Sequence, residues 1–230
     1  MELRALCRQE RSRTLPAASE ACFSIQAILE NLQHRLARLP VDDNGTSRLT
    51  ALQVFVKQEF HPTFDGIARW CTAALKQQGL MCASELGLEE RTLSPSDFGF
   101  HNALRRPDGR VVFLDFEYFG WDDPAKTVAD FLLHPAMELS KDLKQRFFTE
   151  MLRRFDDQDT LARRVETVYP LFGLKWCLIF LNEFVPRDVQ RRRFANRLVS
   201  SGDRQAEQLS KARRMLQKIR EEHEHFPYGN

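Results

Sequence analysis

Apolar positions along the first eighty residues recur at helical spacing, and the same texture returns after residue 124. From Ser19, a candidate N-cap, the stripe Phe23, Ile25, Ile28, Leu29, Leu32, Leu36 and Leu39 runs to Pro40 and the turn-rich Asp42-Asp43-Asn44-Gly45. A second helix is expected from about Ser47 to Phe60. It should stop before His61-Pro62, because a residue preceding proline is pushed out of the helical region. A third begins near Thr63 and ends at Gly79, a natural residue just past a helix C-terminus. Between these helices and the later ones lie two short strand-like runs, 102–106 and 110–115, joined by the hairpin signal Pro107-Asp108-Gly109. After Asp123-Pro124, with proline at a plausible first helical position, periodicity predicts helices over 125–133, 141–155, 160–184 with a break near Pro170, 188–200 and 203–224. The last is densely charged around a sparse stripe of Leu209, Met215 and Ile219, which reads as a solvated outer helix.

This pattern predicts a mainly α protein with a small β-hairpin, an α+β fold. Residues 1–18 form an irregular leader, and 19–230 form one helical lobe carrying a loop and hairpin at 94–120. At 230 residues with 43% hydrophobic content, the chain can bury a substantial core. Its 34 basic and 32 acidic side chains leave a net charge of only +2, too balanced for a molecule built around nucleic acid or an anionic membrane. The local cluster Arg187, Arg191, Arg192, Arg193 and Arg197 lacks interleaved aromatic residues and reads as a solvated helix face. The most hydrophobic segment, Leu171 to Val185, carries Lys175, Asn182 and Glu183, so it reads as a buried helix and not a membrane span. Five scattered cysteines, Cys7, Cys22, Cys71, Cys82 and Cys177, form no metal-type spacing. With no signal-peptide pattern at the N-terminus, they predict reduced thiols and a cytoplasmic location.

Candidate chemistry is concentrated between Ser94 and Phe131. Asp97 and Asn102 stand five apart on a loop before the first strand, and Asp115 ends the returning strand. A hairpin brings these positions together. They offer one carboxylate to orient and deprotonate a hydroxyl, and two hard oxygen ligands for an ion such as Mg²⁺. That is a minimal set for phosphoryl transfer, which needs positioning and charge neutralisation more than covalent help.

The ordered motifs Asp97-x-x-x-x-Asn102, hairpin, Asp115-Phe-Glu117 and Gly120-Trp-Asp-Asp-Pro124 through Asp130 resemble those of aminoglycoside phosphotransferases and choline kinases. The resemblance implies the C-terminal lobe of a protein-kinase-like fold. It further implies transfer of the ATP γ-phosphate to a small-molecule hydroxyl on an amino sugar, amino alcohol or sugar. In that reading Asp97 is the catalytic base, Asn102 and Asp115 are metal ligands with Glu117 as a further one, and ATP and Mg²⁺ are the cofactors. Two departures stand beside it. Pro95-Ser96 occupies the place of the family's usual His-Gly, with His101 as a conceivable substitute. The first eighty residues also show no glycine-rich strand pair or nucleotide-binding lysine strand. The expectation is therefore a lobe that works with a nucleotide lobe supplied by a separate chain, or, alternatively, a non-catalytic binding or regulatory module. Asp123 is expected to cap the following helix and Asp130 to hold the loop, while His61, His101, His134, Trp70, Trp121 and Trp176 are expected to be structural.

Overall fold

The computed structural model describes residue 7 and residues 13–40, 47–185 and 201–229. The 188–200 helix and the arginine cluster of 187–197 lie outside the described residues. The fold is mainly helical with two small antiparallel sheets, as the apolar pattern predicts.

Helix α1, Ile25–Ala37, is capped by Ser24, whose hydroxyl accepts the Ala27 N–H at 3.1 Å. It starts six residues after Ser19, because the backbone before it is already engaged elsewhere. Trp121 N–H donates to the Pro16 carbonyl at 2.9 Å, Ala18 N–H to the Trp121 carbonyl at 2.8 Å, and Ser19 N–H to the Tyr118 carbonyl at 3.1 Å. The end of the expected leader thus runs beside a strand, and a Cβ on Gly120 would lie 2.5 Å from the Pro16 carbonyl oxygen.

Helix α2, Ser47–Val54, does not stop before Pro62. It passes through one wide π-helical turn, Phe55–Phe60, into α3, His61–Gln77. His61 N–H reaches back five residues to the Val56 carbonyl. That wider turn accommodates a proline ring that would collide with the carbonyl four residues back in a regular helix. α3 ends as its Gly79 predicts, with φ +72° and Leu80 N–H donating to the Leu75 carbonyl at 3.0 Å.

After the sheets come α4, Pro124–Leu133, α5, Lys141–Leu152, α6, Gln158–Phe180, and α7, Ser201–Glu222. α6 is the axis of the core. Val165, Val168, Leu171, Leu174 and Cys177 are fully buried, with α1, α3, α4 and α7 packed around them. It runs through Pro170 without the predicted break. A helix-interior proline costs roughly 3 kcal/mol, and apolar contact on every side of α6 outweighs that. α7 departs from the outer-helix expectation. Leu209, Ala212, Leu216 and Ile219 are buried against α6, where a Cβ on Gly173 would lie 2.2 Å from Ile219 Cγ1. Its charges cover only the opposite side.

Strands β1, Thr92–Ser94, and β4, Gly120–Asp122, pair antiparallel with Leu93 opposite Trp121. Between them lies the predicted hairpin, β2, Ala103–Arg105, and β3, Val111–Phe113, with Leu104 opposite Val112. The outer pair holds both ends of the 94–120 segment at one place on the helical body. Among the described residues no helix is long and apolar enough to cross a membrane. All five cysteines are free thiols, and burial pushes Cys71 up to about 12, which keeps it un-ionised.

Candidate functional site

The loop between β1 and β2 carries Asp97 in a tightly specified turn. Ser96 adopts φ +66°, in the left-handed region, with its N–H bonded to Ser94 Oγ at 3.0 Å and its hydroxyl donating to the Ser19 carbonyl at 3.1 Å. Asn102 Nδ2 donates to the Asp97 carbonyl at 3.0 Å, and Leu114 N–H donates to the Asn102 carbonyl at 2.8 Å. Asn102 and Asp115 therefore sit at the same end of the hairpin, one and two residues beyond its paired positions. The hairpin is fastened to α4 through Phe98, whose ring lies 5.0 Å from Phe113 and 5.6 Å from Phe131.

Asp97 Oδ1 accepts from His101 Nε2 at 2.9 Å. Gly99 makes that fold-back possible, since a Cβ there would sit 2.7 Å from the His101 ring. The His101 ring stacks on His134, with centroids 4.2 Å apart and planes 4° apart, and His134 meets Trp176 edge-on at 4.7 Å. Burial first, then His101, lowers the His134 pKa, favouring a neutral ring whose Nδ1 accepts the Ala136 N–H at 3.1 Å. Ligand atoms of Asp97, His101 and His134 lie within 4.8 Å of one another. Imidazole lone pairs lie in the ring plane, so two parallel rings direct them side by side and not at one ion.

The Pro95-Ser96 departure has its counterpart here. Lys126, on the first turns of α4, has a side chain only 2% exposed. Its ammonium donates to Asp122 Oδ2 at 2.5 Å and to Ser96 Oγ at 3.2 Å, and lies 3.8 Å from Asp130. Burial acts against this charge, but Asp122 and then Asp130 more than offset it and hold the ammonium protonated. Thr127 adds a bond to Ser94 at 3.2 Å. Asp130 thus reaches the loop through Lys126, where a direct bond was expected. Asp123 does cap α4, accepting the Ala125 N–H at 2.8 Å, and also pairs with Arg164 at 2.8 Å.

These groups border a cleft of about 330 Å³ lined by Glu20, Ser96, Asp97, Lys126, Lys175 and Trp176 among others. Glu20, at φ +57°, receives both Lys175, at 3.1 Å, and Arg35. Burial raises its pKa, but Lys175 and Arg35 outweigh that and hold it at about 2. The indole N–H of Trp176 is buried with no acceptor among the described residues. Asp97 lines the cleft; Asn102, Asp115 and Glu117 do not, and Asp115 and Glu117 are exposed on the hairpin side, Asp115 at φ +59°. The structure thus joins Asp97 and Asn102 by a direct bond and brings Asp115 to the same hairpin end, while Glu117 sits in the turn that follows. Sequence reading missed Glu20, Lys126 and Lys175 as members of the site. Lys126 and Lys175 each carried a signal, as a lysine within a largely apolar helix.

No known family's sequence model and no curated protein matches the chain. Among solved structures, it is similar to an ethanolamine kinase of Plasmodium vivax, at 14% identity and TM-score 0.48, over 85% of this chain and 49% of that one. It is also similar to a choline/ethanolamine kinase family protein of Mesorhizobium loti, at 16% identity and TM-score 0.47, over 95% of this chain and 64% of that one. The chain thus spans about half the length of the first and 64% of the second.

Proposed function

We propose that the chain is the acceptor-binding lobe of an ATP- and Mg²⁺-linked phosphotransferase acting on a small-molecule hydroxyl. The observation that supports this most is the carboxylate of Asp97 at the wall of a substrate-sized cleft, its own backbone carbonyl tied to Asn102. Because Asn102 commits its Nδ2 to that carbonyl, its Oδ1 is the end left for a cation. Together with the Asp115 and Glu117 carboxylates this makes a hard-oxygen set suited to Mg²⁺. The bound ion would neutralise phosphate oxygens. Asp97 orients the acceptor hydroxyl and takes its proton as that oxygen bonds to the γ-phosphorus and the bond to the ADP oxygen breaks. His101, donating to Asp97, holds the carboxylate in one orientation. In this reading the exposed apolar residues Leu104, Val112 and Leu114 form the surface on which the nucleotide and a covering lobe, from a separate chain or further sequence, would rest.

The test is Asp97→Asn, assayed for ADP and phosphorylated acceptor with the chain alone and with a supplied nucleotide lobe. The expected loss is about 10²-fold or more. Undiminished transfer would remove Asp97 from the chemistry. A chain that gives no heat with Mg²⁺-ATP under either condition is instead a non-catalytic binding module.

A further inference from the structure

Two charge clusters border the cleft, and their balance differs. In one a single carboxylate, Glu20, is shared by Lys175 and Arg35, one negative charge against two positive. In the other, Lys126 stands between Asp122 and Asp130, one positive charge against two negative, and Asp97 also lines the cleft. Lys175, and not Arg35, is the member of the positive cluster that lines the cleft. Its side chain is 9% exposed, and Glu20 is the one hydrogen-bonding or ion-pairing partner its ammonium has among the described residues. An ammonium carries three donors; among the described residues Glu20 takes one and the Phe172 ring lies 5.8 Å from the nitrogen, which leaves room for a further oxygen acceptor. Trp176, its neighbour on α6, holds a buried N–H without an acceptor among the described residues. A wall short of acceptors and carrying a surplus positive charge is complementary to an anionic oxygen group and repels an ammonium.

We propose that the acceptor is a small hydroxylated carboxylate, its anionic group seated on Lys175 and its hydroxyl turned toward Asp97. An amine on the same molecule is compatible beside Asp130, but the carboxylate is the recognised feature. This rests on the phosphotransferase reading of the cleft and narrows its acceptor. An amino alcohol or amino sugar without a carboxylate would leave Lys175 unsatisfied. The low pKa of Glu20 agrees with a positive local potential, and it means that Glu20 does not relieve that potential by losing its own charge.

Matched pairs differing only at the carboxylate test this. Calorimetric titration of the chain without nucleotide compares glycerate with glycerol, and homoserine with 3-aminopropan-1-ol. The carboxylate member of at least one pair is expected to bind about tenfold tighter or more, the scale of a charged hydrogen bond in a shielded site. Lys175→Met should erase that preference and Lys175→Arg should keep part of it. Equal or tighter binding of both members lacking the carboxylate overturns the proposal, as does a preference that survives in Lys175→Met or the absence of heat from all four at ~10 mM. The wild-type comparison decides by itself if Lys175→Met does not fold. Because it reads binding and not transfer, an inactive Asp97→Asn variant has no bearing on it.

Discussion

Replacing Lys126 by Met tests whether a buried ion pair anchors the candidate catalytic loop. The substitution keeps the stem volume and removes the ammonium, leaving the fully buried Asp122 carboxylate with one bond, from the Asp123 N–H at 2.9 Å. Breaking a buried pair by removing one partner costs ~3–5 kcal/mol. Here the lower end applies, about 3 kcal/mol, because burial already raises the Asp122 pKa against the opposing pull of Lys126, and without that lysine the carboxyl takes up a proton more readily. The sign follows from that proton. In the variant the folded-state pKa of Asp122 lies above its unfolded value, so stability is retained at low pH and lost as pH rises through the folded pKa. Urea unfolding should therefore show a larger deficit at pH 7 than at pH 5, because the Asp122 pKa is raised in the parent and rises further without Lys126. Lys126→Met combined with Asp122→Asn should recover most of the loss, since removing both charges removes the orphaned one. Transfer should stay impaired in the double variant, because Ser96 still lacks its 3.2 Å partner and the turn carrying Asp97 is less constrained. A single-variant loss below about 1 kcal/mol, or a double variant as unstable as the two singles added together, would refute the anchoring argument.

Two further outcomes follow from the same geometry. Gly120→Ala places a methyl 2.5 Å from the Pro16 carbonyl oxygen and 2.6 Å from Ala18 N; it should cost about 1–3 kcal/mol in thermal unfolding and open the 13–20 segment to proteolysis. Parent stability unchanged in this variant would mean that segment is not held against β4. Glu20→Gln should destabilise the chain at neutral pH by about 1–2 kcal/mol, after discounting for partial exposure of the carboxylate. With its folded pKa at about 2 against an ordinary 4.5, Glu20 contributes stability that is complete above pH 4.5 and is lost as pH falls toward 2. The parent and variant curves should therefore converge across that window, and a constant gap would contradict it.

The helices were legible because each carries an apolar stripe at its own period, and Asp123 and Gly79 supply end signals that act within a few residues, whereas the cap of α1 is Ser24 and not the expected Ser19. Their interruptions were not. Pro62 and Pro170 signal local breaks, but the π-helical turn before the first and the packing on every side of the second are decided by what surrounds them. Strands β1 and β4 have three residues each, too few to show an alternation, and their partners are remote in sequence. In the site, the spacing of Asp97, Asn102 and Asp115 is carried by a contiguous hairpin, so a local reading reaches it. Glu20 and Lys175 are 155 positions apart in the sequence and carry no shared motif.

The sequence by itself therefore determined the helical class, the hairpin and the oxygen-bearing residues at its open end, because these depend on period and on turn chemistry over short spans. Tertiary structure alone decided that α7 is a core partner of α6, that residues 16–18 run beside β4, and that Lys126 holds the loop. It also decided that Glu20, Lys126 and Lys175 border one cleft. Those features depend on which charges are buried together, and burial is a property of the packed chain.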